Sequence, residues 1–314
     1  MEILINHAHT DLSNTAEQEV RDFPAINHQV DYRDIVEELD EDKSVVIAGT
    51  EHWRINEYSE LENYVRDNGG DTQRHDTHLS GELDGTEFAA LYGVEGSIDS
   101  EKQHFTVSGV DINEIDAGRD FINMDADEVY EIARESAWIT PAHPFLPGFS
   151  VSDDNLEDIV EMDEDEDIEV MMPYTAGYNP VLNKLAQGRH RENDVEDLAS
   201  NYDLPMIPEA DMHCYVPDSM SGFGVVDGVV EEARNGEIDT EGVRDSYVIE
   251  GTMSDRLMSF YRSGQSFADL LPGYRSGLYE KVPRIPTSEQ DFEDIWDRSL
   301  NNLSEERLSV QSLK

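Results

Sequence analysis

The chain has 314 residues, enough to bury a sizeable core as one large domain or as two modest ones. Acidic residues number 71 against 22 basic ones, a formal net charge of −49, yet hydrophobic residues make up 38% and recur in short, regularly spaced runs, which excludes a disordered polyanion. Carboxylates spread over the whole length with lysine sparse suit a surface that stays soluble in molar salt, as in a halophile's cytosol, rather than an acidic tail built for one partner.

The first element is a strand over residues 2–10, Glu2-Ile3-Leu4-Ile5-Asn6-His7-Ala8-His9-Thr10, in which an apolar run ends in two histidines one residue apart. Strand side chains alternate faces, so His7 and His9 are expected to point the same way and could share one metal ion. No basic n-region or apolar h-region precedes the strand, so no secretion signal is read here. A polar loop with Asp11, Ser13 and Asn14 follows, then a helix over residues 31–41 carrying Ile35, Val36 and Leu39 at helical spacing.

Residues 45–52 form a second strand ending in Glu51-His52, with Arg54 just beyond it as a candidate phosphate clamp. Residues 57–66 read as a helix and residues 67–85 as a polar loop rich in Gly and Asp. In that loop His75 and His78 could reach over a site as substrate ligands, although solvated loop residues are the plainer account of both. The run Leu91-Tyr92-Gly93-Val94-Glu95 ends in a carboxylate, and the next strand, residues 104–110, begins with His104. A helix over residues 125–137, with Val129, Ile132 and Ala133 on one face, leads to a strand ending at His143.

Beyond Pro147 the chain turns acidic, with Asp163-Glu164-Asp165-Glu166-Asp167 read as a solvated turn. A strand at residues 168–172 and helix within residues 181–201 come next, then the run Met206-Ile207-Pro208-Glu209-Ala210-Asp211-Met212-His213. Cys214, the single cysteine, excludes an intrachain disulfide framework and a Cys-rich zinc site, and is read as a small buried hydrophobe in a reducing compartment. Residues 225–235, 254–271 and 288–308 read as helices, and residues 247–251 as a strand. No apolar run approaches the length of a membrane span, so the expectation is a soluble, cytoplasmic protein.

The motif-bearing segments hold six of the ten histidines, a concentration that points to a metal site rather than to scattered surface residues. Repeated strand-then-helix units predict a parallel sheet, and at least six of them favour a closed barrel with its site at the C-terminal ends of the strands. There is neither a GxGxxG nor a P-loop, which disfavours a nucleotide-binding doubly wound sheet.

Taken in order and spacing, His7-Ala8-His9-Thr10-Asp11-Leu12-Ser13, Gly49-Thr50-Glu51-His52, Gly93-Val94-Glu95, Ala142-His143-Pro144-Phe145 and Glu209-Ala210-Asp211-Met212-His213 resemble the motifs of the PHP (polymerase and histidinol phosphatase) superfamily. The resemblance implies an α/β fold, a distorted (βα)7 TIM-like barrel over residues 1–250, followed by a mostly helical C-terminal extension over residues 251–314. It further implies two or three divalent ions (zinc, manganese or iron) and hydrolysis of phosphomonoesters or phosphodiesters through a metal-bound hydroxide. By motif, one metal takes His7, His9, Glu95 and Asp211; a second shares Glu95 and adds His104 and His143; a third uses His52, His213 and a residue of the loop after the first strand. Glu95 and Asp211 are the implied catalytic pair, with Asp211 or a loop residue as general acid.

The chain differs from the usual pattern at Asn14, Glu51 and Met212. The implied substrate is a phosphorylated small molecule or nucleotide. A PHP-type exonuclease or nucleotide-end phosphatase is the second reading, set behind the first because no polymerase or obvious nucleic-acid module is read in the chain, and a barrel without catalysis, serving binding or assembly, is the third.

Overall fold

A computed structural model describes residues 2–8, 44–100, 103–142, 144, 151, 153–165, 167–174, 192–209, 224–250 and 309–312. Strands β1 (Glu2–Ala8), β2 (Ser44–Gly49) and β3 (Glu51–His52) lead to helix α1 (Ser59–Asp67). Strands β4 (Asp71–Arg74), β5 (His78–Leu83), β6 (Thr86–Leu91), β7 (Gly93–Ser97) and β8 (His104–Ser108) then follow one another before helix α2 (Ala126–Arg134) and β9 (Trp138–Pro141). Helix α3 (Asp153–Glu161), β10 (Met172–Tyr174), α4 (Glu192–Tyr202), β11 (Met206–Pro208), β12 (Gly224–Val226), α5 (Val229–Asn235), α6 (Thr240–Arg244), β13 (Tyr247–Glu250) and β14 (Ser309–Ser312) complete the described elements.

The main sheet has the order β14-β13-β12-β1-β2-β6-β5-β4, a second has the order β3-β7-β8-β9, and β10 pairs with β11. Only Thr50 separates β2 from β3, and only Tyr92 separates β6 from β7. Both partners cross the gap together, since β2 pairs parallel with β6 and β3 parallel with β7. The two sheets therefore meet at a shared bend. Isoleucines 3, 5 and 47 pack with Phe88, Phe105 and Ile139 into the larger core, while Leu4, Val46 and Leu91 pack with Val229, Val230 and Ala233 of α5 on the opposite side. This split follows from the period-2 alternation of the apolar strands.

The pairing overturns the expected (βα)7 TIM-like barrel. The β1-β2-β6 centre is parallel, but β12, β13 and β14 on one side and β5 and β4 on the other all pair antiparallel, and the sheet ends at β14 and β4. Among the described residues no closed barrel forms. On the β4–β6 side the cause is local: β4, β5 and β6 follow one another without a helix, through connections too short for a crossover, which permits only antiparallel pairing.

The stretch 67–85, read as a polar loop, holds β4 and β5. Its Asp84-Gly85 pair sits at φ 51° and 89° between Leu83 and Thr86, the two-residue turn whose left-handed backbone suits a hairpin. The segment 225–235, read as one helix, divides into β12 and the shorter α5, with Gly228 at φ 81° between them. Strand β14 pairs with β13, so residues 309–312 of the expected helical extension belong to the main sheet. The helices read at residues 31–41, 254–271 and 288–308 lie outside the described residues. The helix expected at 125–137 is present as α2, started by Asp125, which accepts from the Glu128 N–H while Glu128 accepts from the Asp125 N–H. No described helix is long and apolar enough to cross a membrane.

Candidate metal centre

The site is built at the bend. His52 is the register partner of Glu95 on the parallel pair β3–β7, and Glu95 lies opposite Thr106 on the antiparallel pair β7–β8, two residues from His104. Residues two apart on a strand share a face, so the ladder itself sets His52, Glu95 and His104 on one side of the sheet. The Trp53 N–H donates to the Glu95 carbonyl at 2.9 Å and extends that pairing past β3. Trp53 meets His104 edge-on with ring centroids 5.2 Å apart and lies 5.5 Å from the His52 ring, forming an apolar wall beside both imidazoles.

His7 arrives from the neighbouring strand by a different device. The register of β1 on β2 slips between Asn6 and Ala8, and His7 is the extra residue, at φ 60°. A bulge of this kind turns its side chain out of the regular alternation and is frequent beside functional sites. The simple alternation used to set His7 and His9 on one face therefore does not run through His7.

Four side chains converge, all nearly or fully buried: His7, His52, Glu95 and His104. Glu95 Oε2 lies 3.4 Å from His7 Nε2 and 3.2 Å from His52 Nε2, and Glu95 Oε1 lies 2.6 Å from His104 Nδ1. On the far edge of the His7 ring, Nδ1 lies 2.5 Å from Oε1 of Glu209, itself fully buried. Burial alone would raise the Glu95 carboxyl, but the His52, His104 and His7 rings, with the His104 hydrogen bond, hold it well below the usual carboxylate range. Glu95 is thus a carboxylate at neutral pH.

The donor set fits a divalent metal. His52, Glu95 and His104 each offer a ligand atom, all within 4.8 Å of one another. Ligands about 2.0–2.1 Å from a tetrahedral zinc stand roughly 3.3 Å apart. The separations of Glu95 Oε2 from the His7 and His52 nitrogens match that edge better than they match a charge-assisted hydrogen bond of about 2.7–2.9 Å. Imidazole and carboxylate together favour zinc, manganese or iron over magnesium and calcium.

Of the ligands proposed from sequence, the structure brings together His7, His52, Glu95 and His104, while His9, His143, Asp211 and His213 lie outside the described residues, as does Asn14. The three substrate candidates are engaged elsewhere. Arg54 donates to Asp120 at 2.7 Å on the surface. His78 is buried, with Nε2 donating to the Ala233 carbonyl of α5 at 2.7 Å, and His75 stacks on it and bonds Ser80. These contacts face α5 rather than the cluster. Glu209 and Trp53 were not foreseen as site residues. Glu209 carried the same signal as the others, a ligand-type residue directly after a short apolar strand, but Asp211 two positions on drew the assignment. No family model, curated protein or solved structure matches the chain.

Proposed function

We propose that the chain is a divalent-metal-dependent hydrolase acting on phosphoesters of a small molecule or nucleotide. The observation that carries the metal half of this reading is the buried convergence of His7, His52 and His104 on Glu95. The phosphoester half rests on the ordered resemblance of five motifs to the PHP superfamily, proposed here as shared chemistry and not as a shared barrel.

In this reading His52, Glu95 and His104 would hold the ion, and His7, whose Nε2 lies 3.4 Å from the same Glu95 carboxylate, would add a further donor beside them. The resemblance to the PHP motifs adds His9, His143, Asp211 and His213 as further candidate ligands. Divalent ions so bound supply Lewis acidity towards a phosphoryl oxygen and lower the pKa of a water at neutral pH. Trp53 shields the His52 and His104 rings from solvent, which strengthens every charge interaction beside it. The described arginine nearest in sequence, Arg54, is held by Asp120, so no guanidinium clamp is assigned.

The test is elemental analysis of protein purified in molar KCl without chelators, with aryl phosphate hydrolysis assayed alongside. Stoichiometric zinc, manganese or iron with manganese-stimulated turnover is the expected result. His52→Ala and Glu95→Gln should each lose metal and lower turnover by more than the roughly 10- to 100-fold that outer-shell changes cost. A wild-type chain that holds no metal and takes none up on reconstitution removes this reading and leaves a binding or assembly role.

A further inference from the structure

We propose that Glu209 is the positioning residue of this centre: it accepts the Nδ1–H of His7 and so fixes the imidazole as the tautomer whose Nε2 lone pair faces Glu95. The inference rests on the metal reading above. It starts from the two edges of one ring. Nδ1 of His7 lies 2.5 Å from Glu209 Oε1, whereas Nε2 lies 3.4 Å from Glu95 Oε2. The ring nitrogens point in nearly opposite directions, so the two carboxylates sit on opposite sides of the imidazole. With the carboxylate oxygen as acceptor, the 2.5 Å contact puts the shared hydrogen on Nδ1.

Two further observations favour a role in the site over a role in the core. First, His7 and Glu209 are both fully buried and lie 202 residues apart in sequence. A buried carboxylate–imidazole pair is weak support for stability, because desolvation consumes most of the attraction, and an apolar pair of the same size would serve a core better. Second, His7 holds a left-handed backbone at the bulge of β1, a conformation that costs a non-glycine residue free energy and that clusters at functional sites. Both costs fall on the residue whose Nε2 the cluster uses. Glu209 can hold it because its own backbone is anchored: its N–H donates to the Tyr174 carbonyl at 3.1 Å, extending the β10–β11 pairing by one residue. A ligand imidazole steered by a carboxylate on its other nitrogen is a general device for fixing tautomer and ring orientation.

The experiment measures zinc affinity by competition with a chelator for the full-length wild type, Glu209→Ala and Glu209→Gln, and records the ¹⁵N shifts of the histidine rings in the same metal-free proteins. Glu209→Ala should weaken zinc binding by roughly 10- to 100-fold at unchanged stoichiometry, and Glu209→Gln, which keeps an acceptor oxygen, should recover most of that loss. In metal-free wild type Nδ1 of His7 should be protonated and hydrogen-bonded to Glu209, and Glu209→Ala should remove that ¹⁵N signature. Unfolding midpoints without zinc separate these effects from damage to the fold, and the Gln variant keeps the test open where the Ala variant misfolds. A wild type that binds zinc with an affinity unchanged in Glu209→Ala overturns the Glu209 assignment alone, as does loss of one equivalent of zinc, which would make Glu209 a ligand. A wild type that binds no zinc overturns the metal reading itself.

Discussion

At His78 the fold decides what a histidine does. The ring is fully buried, its Nε2 donates to the Ala233 carbonyl near the end of α5, and its Nδ1 accepts from the Thr77 hydroxyl at 2.9 Å. Burial pushes its pKa down to about 4; the Ala233 bond opposes that shift and the stacked His75 adds to it. The unfolded chain takes up this proton near pH 6.5 and the folded chain only near 4. His78 therefore contributes stability in full above about pH 6.5, and that contribution is lost as the pH falls towards 4, by about 3 kcal/mol in all. Glutamine at this position keeps a donor but does not titrate. His78→Gln should flatten the fall in urea midpoint between pH 6.5 and 4 relative to wild type, and parallel curves for the two proteins would count against this account. From sequence His75 and His78 read as solvated loop residues or as substrate ligands; neither reading holds for His78, because the two-residue turn at Asp84-Gly85 makes that stretch a hairpin and carries it under α5.

The elements themselves were largely legible where one physical signal ran uninterrupted. The capped, amphipathic α2 and the apolar runs of β1, β2 and β11 stand where periodicity placed them. Pairing was not legible, because alternation of strand and helix hides the strands joined without a helix, and the bulge at His7 leaves no mark in the run Ile3-Leu4-Ile5-Asn6-His7. The bend between the sheets depends on another unseen constraint. Gly49, the last residue of β2, faces the Tyr58 ring so closely that a Cβ there would lie 2.0 Å from Oη and 2.9 Å from Cζ. Tyr58 cannot retreat, since it is fully buried and stacked on Tyr92 with centroids 6.4 Å apart. Gly49→Ala should therefore destabilise the fold by about 1–3 kcal/mol, the usual cost of overpacking. Adding Tyr58→Phe removes the nearest atom, so denaturation of the two single variants and the double variant should show a favourable coupling between them. Additive effects would place the bend's constraint elsewhere.

Over the whole molecule, a charge of −49 has to be reconciled with a compact fold. Arg66, Arg74, Arg119, Arg234 and Arg244 each lie against a carboxylate, Arg74 between Glu57 and Glu62, and Arg234 near both Glu87 and Glu82. Such surface pairs contribute little individually, and the 22 basic residues of the chain cannot offset its 71 acidic ones. The remainder repel one another over distances set by salt. Screening length falls from about 10 Å at 0.1 M to about 3 Å at 1 M, so repulsion between neighbouring surface carboxylates should fade over that range and change little beyond it. The buried cluster around Glu95 responds far less, because its partners lie within 3.4 Å and out of reach of solvent ions. The melting temperature should then rise steeply with KCl up to roughly 1 M and flatten above it, whereas ions acting by exclusion from the surface would give a steady rise through the whole range. Sucrose at matched osmolality should reproduce little of the effect. A melting temperature that is flat in KCl, or that climbs linearly past 1 M and equally in sucrose, would show that screening is not what holds this acidic surface together.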